Sequence, residues 1–161
     1  METTEGERRA VGALQASGIP HVVMRHGRMS SLAEAAAVRG VDPSQIIKTI
    51  VVRRGDDDFL FVLVPGDRTI SWPRLRELLA VNRLSMPDAA TARDVTGYER
   101  GTITPFGSLH PWPVVADSRV HGLVSIGAGA HGVSATLEGA ELVRVLGATV
   151  ADVTDPEADA G

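Results

Sequence analysis

The chain has 161 residues, 43% hydrophobic, 22% charged and 4% aromatic, which is the size of one domain with an aliphatic core. An extensively disordered chain is thereby excluded. Its 16 Lys and Arg against 20 Asp and Glu leave a net charge of −4, which disfavours a broad basic footprint on nucleic acid but permits a pocket for a terminal nucleotide.

Residues 5–17 set Val11 and Leu14 among polar neighbours and end at Gly18, predicting an opening helix. Pro20 introduces a short strand at 21–25. Ser31 and Glu34 have capping-box spacing, which predicts a helix over 32–39 stopped by Gly40. The β-branched run 45–53 reads as a buried strand. After the turn Gly55-Asp56-Asp57-Asp58 a partner returns over 59–64, the clearest hairpin in the chain. Ser71 is placed to cap a helix over 73–80 with Pro73 in its first turn, and Asp88 opens another before Gly97. The Gly- and Pro-rich stretch 97–113 reads as a long loop shaped around a strand. Three strands follow at 114–117, 123–126 and 133–137, then a helix at 141–146 stopped by Gly147, and an edge strand at 149–153. The end turns acidic and small, so 154–161 is expected to be a disordered tail. Without repeats or linkers, 1–161 reads as one domain. Strands and helices mix without regular βαβ alternation, which predicts an α+β domain on a mixed sheet.

Several features could carry chemistry. Lys48 interrupts the apolar run 46–52 and shares a strand face with Ile46 and Ile50. A buried ammonium needs an anionic or polar partner, and a phosphate or sugar end of a ligand would serve. The alternative is an edge-strand lysine with a solvated head. The run Gly127-Ala128-Gly129-Ala130-His131-Gly132 could bring backbone amides to an anion or simply turn the chain. It lacks both dinucleotide and P-loop spacing. His131 could orient water or a polar substrate group. Gly101, within the stretch 96–107, could expose an amide to a pocket. Ser108, Ser125 and Ser134 lack a nucleophile-elbow context, and the five histidines lack metal-ligand spacing. No cysteine is present, which excludes a thiol nucleophile, thiolate ligands and disulfides and suits a reducing cytoplasm. Neither a secretory signal nor a membrane span is expected.

In series, IIKTIVV at 46–52, TGYERGTITPFG at 96–107, PVVAD at 113–117 and SIGAGAHGVSATL at 125–137 resemble the YbaK/prolyl-tRNA synthetase-associated editing family, over about residues 15–153. The resemblance implies that family's fold, a mixed, barrel-like sheet flanked by helices. It further implies trans-editing: hydrolysis of the ester joining a mischarged small amino acid (Ala, Ser, Thr or Cys) to a tRNA's terminal adenosine. Lys48, Gly101, Gly127 and Gly129 take the catalytic positions, and Ile47, Thr49, Pro105, Phe106, His131 and Ser134 the substrate-binding ones. Thr49, where alanine-specific relatives often carry Asn, and Ser134 and Thr136, where several carry Asp, Asn or His, depart from the pattern and leave the amino acid open. No cofactor, metal or membrane is implied; the partners are the aminoacyl-tRNA 3′ end and, as a candidate, an aminoacyl-tRNA synthetase. Positioned water, amides of Gly101 or of the 127–129 loop facing the oxyanion, and a substrate ribose hydroxyl would together suffice for an activated ester. Ala128, Ala130 and Ala135 are expected as small pocket walls, and Arg74, Arg76, Arg83 and Arg93 as candidate contacts to the RNA backbone. The competing expectations are a binding module of the same fold without turnover, and a hydrolase of other small esters or amides.

Overall fold

The computed structural model describes residues 4–27 and 31–157. Helix α1 (Glu5–Ser17) is opened by Thr4, whose hydroxyl accepts from Glu7 N at 3.1 Å, and closed by Gly18 in the left-handed region. Strand β1 (His21–Arg25) follows, then α2 (Leu32–Arg39), capped by Ser31 as its spacing predicts, and a short 3-10 turn at Pro43–Gln45. Strands β2 (Ile46–Gly55) and β3 (Asp58–Pro65) form the expected hairpin, paired antiparallel from Ile47–Pro65 to Arg53–Phe59. Next come β4 (Arg68–Ile70), α3 (Trp72–Leu79) and α4 (Ala89–Thr96), the two helices being capped by Ser71 and Asp88. Strands β5 (Val114–Asp117), β6 (Leu123–Gly127) and β7 (Val133–Glu138) lead to α5 (Gly139–Leu146), β8 (Thr149–Ala151) and β9 (Thr154–Pro156).

Among the described residues seven strands make one mixed sheet in the order β1-β7-β6-β2-β3-β5-β8, with a separate pair, β4-β9. The molecule is thus the α+β fold expected, although β1 and β8 do not pair with each other and the barrel is not closed. Both faces of the central strands are covered, which is why β3 is an unbroken apolar run instead of an alternating one. On one face Leu14 of α1, Ala92 of α4 and Leu142 of α5 pack with Ile47, Val51, Phe61, Ile126 and Leu137. On the other, Leu75 of α3 and Ile70 pack with Val52, Leu60, Val62, Val64 and Val115.

Two expectations need correction. Residues 97–113 contain no strand; the loop is held instead by buried polar contacts, Tyr98 Oη donating to Phe106 O at 2.6 Å and Arg9 donating to the carbonyls of Gly97 and Gly107. The tail is ordered through Glu157. Thr154 is fully buried, accepts from Arg68 through its hydroxyl and, through its carbonyl, from both Arg68 and Arg74, and β9 pairs with β4. Polar, acidic composition concealed this segment because its stability comes from arginines distant in sequence. Residues 158–161 lie outside the described residues.

Candidate functional site

Strand β2 sits at the centre of the sheet, and β6 runs parallel to it for only two residue pairs, Ile46–Ser125 and Ile47–Ile126. Beyond Gly127 the chain of β6 departs: Ala128 N donates to Val133 O and Gly129 N to Thr102 O. The divergence opens a cavity of about 670 Å³ against the remaining edge of β2. Residues 46–51 line it, facing Met86, Pro87, Ala89 and Ala92 at the start of α4, Arg100, Gly101 and Ile103 of the long loop, and Gly127.

Five of the ten sequence-derived site residues meet here: Ile47, Lys48, Thr49, Gly101 and Gly127. Lys48 is half-buried on an interior strand of the sheet and not on an edge strand; its Nζ donates to Arg68 O at 2.8 Å, and no carboxylate pairs with it among the described residues. An ammonium carries three donors, so two remain for a ligand. Thr49 Oγ1 is buried with no hydrogen-bond partner among the described residues. Gly101 is exposed at φ +89°, a conformation that favours glycine, and its N–H is likewise unused among them.

The other five lie elsewhere. The amide of Gly129 is committed to Thr102 O, which removes it as an oxyanion donor. Gly129 and His131 border a second pocket of about 280 Å³, beside α1, with Tyr98 and Glu99. His131 is exposed, with Nε2 3.6 Å from Glu99, and a side chain on Gly101 would touch its ring. Phe106 is buried in the core cluster and Pro105 is half-buried beside it in the chain. Ser134 is fully buried on β7, its hydroxyl without a partner among the described residues and away from the cavity. The expected alanine walls are also displaced. Ala128 and Ala135 are fully buried and Ala130 lines the second pocket; the small walls of the main cavity are Ala89 and Ala92.

Sequence reasoning missed Arg39. It ends α2, lines the cavity and donates from Nη1 to Ser125 Oγ at 3.2 Å. Its Nε is buried without a partner, no acidic side chain pairs with it among the described residues, and burial pulls its guanidinium below the ordinary value. A basic residue in a last helical turn is so commonly a neutraliser of the helix end that nothing local distinguished it. With Lys48 and Arg100 it makes the lining cationic, against Asp88 alone among the described residues. The Asp88 carboxylate is occupied in capping α4, where the Thr91 amide holds it below the usual carboxylate range. By contrast, Arg74 pairs with Asp152 and Asp155, while Arg83 and Arg93 are exposed and outside the main cavity. Among the described residues no group of three or more His, Asp or Glu is placed to hold a metal, and no helix is long and apolar enough to cross a membrane.

A parallel central pair thus separates around a cavity with a cationic lining, bordered by a glycine-bearing loop. A family model of the aminoacyl-tRNA editing domain matches residues 26–145, and the chain belongs to that family. It is 28% identical over 130 residues to the proline–tRNA ligase of Bacillus licheniformis, covering 81% of this chain and 21% of the ligase. To the enzyme of Desulforamulus reducens it is 36% identical over 98 residues, 61% of this chain and 17% of that one. The chain therefore spans about a fifth of the length of the ligases it matches. The crystal structure of a hypothetical protein superposes with a TM-score of 0.83 at 27% identity, covering 91% of this chain and 99% of that one. A candidate trans-editing enzyme for prolyl-tRNA synthetase shares the fold, with a TM-score of 0.85 at 24% identity over 96% of this chain and 99% of that one.

Proposed function

We propose that this editing domain hydrolyses, in trans, the ester between a mischarged small amino acid and the terminal adenosine of a tRNA. The observation that carries the reading is the convergence of Lys48, Gly101 and Gly127 on one cavity with three cations in its lining. Lys48 and Arg39 hold the phosphate or ribose end of the substrate, which fixes the ester. The free amide of Gly101 faces the oxyanion as it develops; one such preorganised donor is worth about 3–4 kcal/mol in hydrolases where it has been removed. Among the described residues Asp88 is the one carboxylate in the lining, and it is held as a cap, so a free ribose hydroxyl of the substrate activates the water. Ala89, Ala92 and Met86 set the size of the amino acid accepted, at about 1–3 kcal/mol per methylene.

The test is release of amino acid from a panel of tRNAs charged with Ala, Ser, Thr, Cys and Pro, with Lys48→Ala in parallel. Loss of a charged hydrogen bond of about 1.5–3 kcal/mol predicts a fall in kcat/KM of roughly 10- to 150-fold, with thermal unfolding unchanged within about 3 °C. A 2′-deoxy terminal adenosine in the same panel should lose most of the hydrolysis. A folded protein silent on the whole panel would leave a binding module without turnover, and release unaffected by Lys48→Ala would refute the role given to the lysine.

A further inference from the structure

The edge of β2 that faces the cavity has a hydrogen-bonding pattern that can be followed residue by residue. In a strand, the N–H and C=O of one residue point to one edge, and those of the next residue to the other. Arg53 exchanges both of its bonds with Ser85, its N donating at 2.7 Å and its carbonyl accepting at 3.1 Å, on the side away from β3. Val51, Thr49 and Ile47, at two-residue steps, therefore face that same side. The partner strand agrees: Phe61, opposite Val51, donates to Pro113 O at 2.8 Å, away from β2. At Ile47 the edge is closed by β6, and at Arg53 by Ser85. Between those closures, the main-chain groups of Thr49 and Val51 meet no ladder partner among the described residues.

This edge is not an ordinary exposed margin. Val51 is only 4% accessible, and side chains from both faces of β2 line the same cavity, Ile47 and Thr49 from one and Lys48 and Ile50 from the other. The cavity thus wraps the strand edge itself. Val51 is buried and Thr49 half-buried, and backbone donors and acceptors so placed are almost always satisfied by protein or water, so along this cavity a ligand's own donors and acceptors can take the place of water at both residues. Thr49 C=O and Val51 N–H stand next to each other along the edge, an acceptor beside a donor.

We infer that this acceptor–donor pair is a base-binding subsite that takes the Watson–Crick edge of an adenine, N6–H donating to Thr49 O and Val51 N–H donating to N1. The inference rests on the proposed function, because that reading supplies a substrate ending in adenosine. An α-ammonium group could use the carbonyl but has nothing to accept from the N–H, whereas the adenine edge matches both. The aliphatic side chains of Ile47, Ile50, Met86 and Ile103 give a flat heterocycle its apolar surroundings. Reading an unstacked base by its Watson–Crick edge is the usual way proteins identify a single-stranded nucleotide. Here the reading group is main chain, so it is insensitive to the side chains at positions 49 and 51.

The probe is 3′-deoxy-3′-(alanylamino)adenosine, whose amide resists hydrolysis, compared with its purine, 1-deaza and 7-deaza counterparts. Removing the N6 amino group or N1 should each weaken binding about tenfold, the effect of one hydrogen bond, and removing N7 should change it less than twofold. In ¹⁵N-labelled protein the Val51 amide proton should move downfield with the adenosine compound and stay unmoved with the 1-deaza one. Failure of the adenosine compound to bind, or equal binding of all four, overturns the subsite whatever the charged-tRNA panel shows. Discrimination among the purines with no charged tRNA hydrolysed leaves the subsite standing and removes the hydrolase reading instead.

Discussion

Tyr98 is the one tyrosine in the chain and is almost wholly buried, its hydroxyl donating to Phe106 O and the Arg9 guanidinium 4.8 Å from its ring centre. Burial pushes its phenol up to about 12, against the opposing pull of Arg9. A folded value above the unfolded 10.0 means that folding favours the neutral phenol. Its contribution is complete below pH 10 and is lost as pH rises through about 12. Because no second tyrosine interferes, absorbance titration of tyrosinate should show a midpoint near 12 in the native protein and near 10 in denaturant. A native midpoint near 10 would mean that the ring is not held in the core. The same residue shows the limit of reading locally: the loop 97–113 advertises its glycines and prolines, whereas its anchor is a phenol aimed at a carbonyl eight residues on.

At the scale of elements, α1 is seated on the glycine loop by a backbone contact that only glycine permits. A Cβ on Gly6 would lie 2.3 Å from Gly129 O, and one on Gly129 would lie 2.3 Å from Gly6 O. Neither obstacle is a flexible side-chain end, so the elements themselves must move. Since Gly129 N donates to Thr102 O, the displacement passes to the segment carrying Gly101. Gly6→Ala should cost about 1–3 kcal/mol and lower Tm by about 2–4 °C for each. Gly12→Ala, on the same helix with nothing within 4 Å, should instead be stabilising by up to about 1 kcal/mol. Two thermal unfolding curves decide it, and equal effects would mean that α1 is not docked as described. Nothing in the sequence around Gly6 distinguishes it from Gly12; the distinction exists only once the 127–132 loop is laid across the helix.

For the whole molecule, the net charge of −4 and the local cluster of Arg39, Lys48 and Arg100 make opposite demands on RNA binding. A recognition confined to that cluster neutralises two or three phosphates at most. The logarithm of kcat/KM against the logarithm of salt should then have a slope of about −2 or shallower, from roughly 0.7 per phosphate on a single strand. A much steeper slope would require a basic surface elsewhere, engaging the body of the tRNA.

The sequence by itself determined the elements and the fold class, because each rests on neighbours: Ser31, Ser71 and Asp88 cap the helices they precede, Gly18, Gly40, Gly97 and Gly147 end theirs, and the Asp-rich turn closes the hairpin. It also brought Lys48, Gly101 and Gly127 forward, since a charge within an apolar strand and glycines in loops are visible without a fold. Only the tertiary structure decided which of these meet. Gly129 and Ser134 stand within a few residues of Gly127, yet one amide is committed to Thr102 and the other side chain is buried on β7 away from the cavity. Arg39, from a different helix, enters the lining. The open edge at Thr49 and Val51 has no sequence signature at all, because a backbone hydrogen bond is lost there through the divergence of a strand some eighty residues away, and main-chain groups are the same at every position.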